Sequence, residues 1–192
     1  MGSLRPARIV ACLAPLALVV AGCGGGTRQD AGEPSGTYRV EVLDASFPTR
    51  QSLAEPAVMR VQVHNSGTKA IPDVAVTVDS FDSTSQQQGL ASDQRPVWIV
   101  DRGPAGGATA YVNTWALGRL PAGATRTFTW HVTAVAAGRH TVSYRVAAGL
   151  NGKAKARLAG GGVPGGSITV AISGKPAQAV VDPATGDVVR KP

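Results

Sequence analysis

From Thr37 onward, apolar residues recur at every second position. Tyr38, Val40 and Val42 alternate with Arg39 and Glu41; Met59, Val61 and Val63 alternate with Arg60, Gln62 and His64; Val74, Val76 and Val78 keep the same spacing. The pattern returns at Phe128, Trp130 and Val132 against Thr127, Thr129 and His131, at Val142, Tyr144 and Val146 against Ser143 and Arg145, and at Ile168, Val170 and Ile172. Successive side chains of a strand point to opposite faces, so a period of two predicts strands with one buried face. Turn clusters such as Asn65-Ser66-Gly67 and Leu120-Pro121-Ala122-Gly123 separate the runs. No run keeps a period of 3.6. The pattern predicts an all-β chain whose strands pack face to face as an antiparallel sandwich.

Composition agrees. Of 192 residues, 43% are hydrophobic and only 16% charged, with 24 glycines and 13 prolines, which suits one turn-rich domain and disfavours long solvated helices. The first residues stand apart from it. Arg5 and Arg8 precede an apolar run from Ile9 to Val20, too short to cross a bilayer as a helix but the right length for a signal-peptide core. That run ends in Val20-Ala21-Gly22-Cys23, which resembles the lipobox of bacterial lipoproteins. The alternative is an ordinary secretory cleavage site beside a chance cysteine. The resemblance implies removal of residues 1–22, a diacylglyceryl thioether on Cys23, and an extracytoplasmic protein anchored to the membrane by lipid. Cys12 would leave with the signal, so the mature chain would form no internal disulfide. Residues 23–36, rich in glycine and polar side chains, read as the lipidated cysteine and a flexible tether.

Residues 37–173 are expected to form the sandwich. Met59 to Val78, with Asn65-Ser66-Gly67-Thr68 at its turn, resembles the strand, turn and strand of bacterial CARDB-type immunoglobulin-like modules. Leu120-Pro-Ala-Gly123 leading into Thr127-Phe-Thr-Trp130, then Gly138-Arg-His-Thr-Val-Ser-Tyr144, resembles their ending, with His140 where an aromatic residue is common. The resemblance implies an immunoglobulin-like antiparallel β-sandwich of about seven to nine strands. A long insert from Asp82 to Gly107 departs from it. The runs Val97-Trp98-Ile99-Val100 and Thr109 to Trp115 are expected to pair as an extra hairpin. Residues 174–192 read either as a disordered tail or as a small hairpin joining Val180-Val181 to Val188-Val189.

The chemistry-bearing residues are sparse. None of the common spacings for an activated nucleophile, a zinc site, a phosphate-binding loop or a calcium loop occurs, so no catalytic residue, metal ligand or cofactor is assigned. His64, His131 and His140 fall on different strands, and Asp79, Asp82 and Asp93 suit turn capping better than calcium. Trp98, Tyr111 and Trp115 are candidate aromatic contacts to a ligand such as a sugar ring, although core packing accounts for them more simply.

Charge is more informative. Gly24 to Asp101 carries net −4, while Arg102 to Val181 holds nine bases and no acid. Within it Arg139, Arg145, Lys153, Lys155 and Arg157 are candidates for binding an anionic surface, since all have the polar parity of their runs. For all five to face solvent from one hairpin, Arg145 must stand opposite Arg157 across a three-residue loop at Leu150-Asn151-Gly152. Such a face would attract anionic lipid, an acidic wall polymer or an envelope protein, or would simply be solvated. Nucleic acid is excluded by the expected location, and oligomeric state leaves no mark. The reading is a non-catalytic envelope lipoprotein that binds, adheres or spaces; the alternatives are an accessory subunit of an exporter or surface assembly, and an envelope enzyme built from scattered residues.

Overall fold

The computed structural model describes residues 30–82, 96–111, 113–186 and 188–190. The signal segment, Cys23 and Asp93 lie outside them. The described residues form β1 (Gly36–Arg39), β2 (Glu41–Ser46), β3 (Arg50–Leu53), β4 (Pro56–His64), β5 (Ala75–Val78), β6 (Phe81–Asp82), β7 (Trp98–Arg102), β8 (Ala108–Tyr111), β9 (Thr114–Ala116), β10 (Thr125–Ala134), β11 (Gly138–Ala147), β12 (Ala154–Arg157), β13 (Gly165–Pro176), β14 (Ala179–Val181) and β15 (Val188–Arg190). One sheet runs β2-β4-β10-β7-β6, and the other β3-β13-β11-β5-β9-β8. The chain is an all-β sandwich. The strand that enters the sandwich is divided between the sheets: β2 lies antiparallel to β4, and β3 lies parallel to β13. With β4 beside β10 in one layer and β13-β11-β5 in the other, this is an immunoglobulin-like frame.

Parity decides which side chains fill the space between the layers. Met59, Val61 and Val63 from β4 meet Phe128, Trp130 and Val132 from β10, opposite Val76, Val78, Val142, Tyr144, Val146, Val170 and Ile172 of the second sheet, all buried. The centre is aromatic. Trp130 stacks on Phe128 at 5.8 Å and meets Trp115 edge-on at 5.6 Å and Phe81 at 6.1 Å. A second group, Phe47, Phe81 and Trp98, continues it toward the β3 side, where Trp98 Nε1 donates to Gln51 Oε1 at 2.7 Å. Gln51 is buried, and its amide donates in turn to the Pro48 carbonyl, so this polar side chain is satisfied at both ends.

Three expectations are corrected. The runs at Val97 to Val100 and Thr109 to Trp115 do not pair with each other. β7 joins β10 in the first sheet, while β8 and β9 extend the second beyond β5. Each run carries a tryptophan that belongs between the layers, and the glycine-rich link crosses from one sheet to the other. Gly103 makes that crossing possible: a Cβ there would lie 2.8 Å from Trp115 Nε1. The division of the strand that enters the sandwich and these additions bring the two sheets to eleven strands among the described residues.

The second correction concerns β12. It does not form a hairpin with β11, whose partners are β13 and β5; it pairs in parallel with β1, with Thr37 beside Lys155 and Arg39 beside Arg157. The third concerns the tether, whose last residues are docked, as described below. At the other terminus the described residues of β14 and β15 form the small hairpin. Its Asp182-Pro183-Ala184 turn is held by Ala184 N–H donating to Asp182 Oδ1 at 2.8 Å.

Replacing Trp130 by alanine should lower stability by about 3–5 kcal/mol, as deletion of large buried aromatics does. Thr129→Ala, on the opposite parity and half-exposed, should cost little. Chemical unfolding of the two variants checks the contrast.

Candidate functional site

The strands of the sandwich turn over at two ends. At one of them lie the β4–β5 connection, residues 65–74, and the β11–β13 connection, residues 148–164, which contains β12. Asn65 organises this end. It is fully buried; its amide donates to the carbonyls of Lys69, Leu120 and Pro121, and its Oδ1 accepts the Gly67 N–H. The two turns singled out in the sequence are thereby tied to each other, with Ile71 and Leu120 exchanging backbone hydrogen bonds alongside.

β1 and β12 lie across this end as a two-stranded lid. Tyr38 and Val40 from the N-terminal side, and Ala154 and Ala156 from β12, turn inward and join the core. The lid is fastened by one carboxylate. Glu33 Oε2 accepts the N–H groups of Leu150 at 2.5 Å and Asn151 at 2.8 Å, and Oε1 accepts that of Ala154 at 2.7 Å. Gly149 leaves room for it: a Cβ at that position would collide with the Glu33 carboxyl group. Asn151 Nδ2 donates to the Asp30 carbonyl, Tyr111 Oη donates to Asp30 Oδ2, and Gly36 N–H donates to the Lys153 carbonyl. Residues 30–36, expected to be part of a free tether, are therefore bound to the domain.

Inward-facing alanines leave the intervening side chains outward. Lys153 and Lys155 are exposed and Arg157 is half-exposed; on β1, Thr37 and Arg39 are exposed. In-register parallel pairing sets Arg39 directly beside Arg157, where two strands stand about 4.8 Å apart. A recess of about 250 Å³ lies between β1 and the β4–β5 turn, bounded by Arg39, Lys69 and the hydroxyl-bearing Thr37, Ser66 and Thr68. The outward surface is thus cationic and rich in hydroxyl donors. Arg39 and Lys69 escaped the sequence reading because they lie in the acidic half of the chain; only the β1–β12 pairing brings them to the other bases.

The remaining candidates lie elsewhere. Arg139 and Arg145 are on β11, in the second sheet, and Arg145 meets Asp79 at 3.4 Å. The five bases expected on one hairpin are therefore split between the lid and the sheet. Trp98 and Trp115 are buried in the core, which removes them as flat contacts for a ligand; Tyr111 is 45% exposed but its hydroxyl holds Asp30. His140 packs edge-on to Trp98, and His64 Nδ1 lies 3.1 Å from Thr125 Oγ1. Among the described residues, no three His, Cys, Asp or Glu side chains are grouped as metal ligands.

No protein-family model matches the chain, and no curated protein matches it. Among solved structures it is similar to the CARDB domain of PF1109 from Pyrococcus furiosus, with 13% identity, 71% of this chain and 93% of that one covered, and a TM-score of 0.42. It is also similar to Escherichia coli alpha-2-macroglobulin from domain MG7 to the C-terminus (12% identity, 78% and 21% covered, TM-score 0.45). A third is PapD-like domain 7 of human CEP192 (14% identity, 90% and 100% covered, TM-score 0.40). At such identities a likeness concerns the fold alone.

Two measurements probe this end. Glu33→Ala strips the acceptor from three backbone donors and should cost about 1–3 kcal/mol. Faster amide exchange at Leu150, Asn151 and Ala154 is the specific signature, and Gly149→Ala should reproduce it. The second concerns Asp73, half-buried with Oδ1 accepting the Gly118 N–H at 2.9 Å. Burial raises its pKa above the ordinary value; the Gly118 hydrogen bond opposes this and the Glu33 charge adds to it. Because the folded state holds the proton more tightly, this group's contribution to stability is full below its unfolded pKa and is lost as pH rises through the folded one. Asp73→Asn keeps an acceptor for Gly118 without the charge. It should raise the unfolding midpoint at neutral pH, with a gain that shrinks as pH falls through the raised folded pKa and is gone below the unfolded value of about 4.

Proposed function

We propose that this protein is a lipid-anchored module of a bacterial cell envelope that acts by binding or spacing at the outer face of the membrane. The Val20-Ala21-Gly22-Cys23 motif supports the anchor, and the sandwich supplies a rigid body for it to hold. The observation that carries the reading is the Glu33 fastening. It binds the segment that follows Cys23 to the lid, so the chain leaves the anchor and enters the domain at the end where Arg39, Lys69, Lys153, Lys155 and Arg157 are displayed. Between Cys23 and Asp30 only residues 24–29 intervene, no more than about 25 Å of chain even if fully extended. Lipid on Cys23 would therefore keep the lid near the membrane, within reach of an anionic partner there. Two acyl chains, each methylene worth about 0.8 kcal/mol when buried, suffice for stable anchoring.

Cys23→Ser in the producing bacterium should abolish incorporation of labelled fatty acid and leave the chain either released or trapped as the precursor. Fractionation with metabolic acyl labelling reads both. Unchanged label and membrane retention in the variant would overturn the anchor.

A further inference from the structure

The β11–β13 connection continues past β12 into a turn whose apolar residues face outward. Leu158 directly follows Arg157 and is 36% exposed; Val163 is 60% exposed. Between them run Ala159 and three consecutive glycines, and the Leu158 side chain lies over Gly162. The turn is well made. Leu158 N–H donates to the Gly162 carbonyl and Gly161 N–H to the Leu158 carbonyl, both at 2.9 Å, and Gly161 takes a positive φ of 87°. It is also pinned at both feet, where Val40 N–H donates to the Arg157 carbonyl and Val146 N–H to the Pro164 carbonyl.

An apolar pair on a rigid turn, flanked by bases, has a specific meaning at an interface. Folding has not buried Leu158 and Val163, and the adjacent Arg39 and Arg157 are held side by side at an electrostatic cost. Among the described residues, no ion pair joins Arg39, Lys69, Lys153, Lys155 or Arg157 to a carboxylate. The exposed acid nearest to them in the chain is Glu41, at the head of β2. A soluble polyanion would satisfy the bases and leave the apolar pair in water. A bilayer of anionic phospholipid satisfies both: phosphates lie at the depth of the cations, and the acyl boundary lies just below.

We propose that the outer face of the β1–β12 lid and the Leu158–Val163 turn form a docking surface for anionic phospholipid. Arg39, Lys69, Lys155 and Arg157 engage headgroup phosphates, the recess bounded by Arg39 and Lys69 accommodates one of them, and Leu158 and Val163 enter the interfacial layer. The proposal rests on the anchored reading for its orientation, because the short run from Cys23 to Asp30 brings this face to the membrane. The docking chemistry itself needs no lipid on the protein.

The test uses the mature chain with Cys23→Ser, so that binding cannot come from acylation. It should sediment with phosphatidylcholine vesicles containing phosphatidylglycerol, not with phosphatidylcholine alone, and added salt should release it. Each base near an anionic surface contributes a several-fold factor, so Lys155→Gln with Arg157→Gln should weaken partitioning about tenfold to thirtyfold. Leu158→Ser with Val163→Ser should weaken it about tenfold, and Arg139→Gln, outside the lid, should leave it unchanged. All these side chains are wholly or partly exposed, and equal unfolding midpoints would show that the variants fold. An environment-sensitive dye on Val163→Cys should report an apolar surrounding only with the anionic vesicles. Three results would overturn the proposal: no vesicle binding at low salt, binding to soluble polyphosphate without binding to vesicles, or vesicle binding indifferent to the lid and turn substitutions. Each is independent of acyl labelling, so failure here and failure of the anchor are told apart.

Discussion

A sandwich protects its core on two faces but not at its ends, where strands turn over and leave gaps through which water reaches the interior. Here the end beside the β4–β5 turn is closed by a lid whose two strands come from places about 120 residues apart in the chain. Neither strand reaches far alone. β1 and β12 have four residues each, and a pair of short strands is marginal without something to fix it. Glu33 is what fixes it. Its carboxylate takes three backbone N–H groups that would otherwise stand unpaired in the 149–154 loop, and charge-assisted bonds of this kind are stronger than neutral ones. Once it is in place, Tyr38, Val40, Ala154 and Ala156 cover the core, and the recess, the cationic face and the route of the chain into the domain all follow.

The same closure explains why the lid bears its charge outward. Strand parity gives a two-stranded lid one inner and one outer face. Small alanines suffice on the inner face of β12 because Tyr38 from β1 supplies the bulk beside them, with Ala156 as its register partner. The outer positions are then free to be polar, and the chain fills them with lysine and arginine. Pairing Arg39 with Arg157 is mildly unfavourable, and so is leaving Val163 in water. The docking proposed above would relieve both.

Much of this was legible in the alternation of the chain. The inward positions of β4, β10, β11 and β13 follow from period two, because a single-residue slip would carry every apolar side chain to the wrong face. Trp130 and Thr129 illustrate it: adjacent residues, one buried and one half-exposed. Parity names a face but not a partner. Ala154-Lys155-Ala156-Arg157 shows which side is buried, and nothing local distinguishes a partner at β11 from one at β1. Leu150-Asn151-Gly152 suits a three-residue hairpin loop, yet Asn151 uses its amide on the Asp30 carbonyl and its Oδ1 on the Lys153 N–H. The aromatic insert misled for a related reason, since Trp98 and Trp115 belong to the core from opposite sheets.

Glu33 left the weakest trace of all, although most of this end depends on it. A carboxylate that binds backbone groups selects for no particular side chain in its partners, so the only trace in the partner loop is a glycine at position 149 that keeps space for it. In a stretch rich in glycine and polar residues, that glutamate reads as one more solvated charge. The distinction has a mechanical consequence. A tether free as far as Gly36 would let the domain turn any side toward its surroundings, whereas one bound from Asp30 onward enters at the lid and restricts how far that face can turn away. With lipid on Cys23, as proposed, the docking of residues 30–36 would turn a surface charge pattern into an orientation. A patch whose reach in physiological salt is only about 8 Å needs such an orientation in order to act at all.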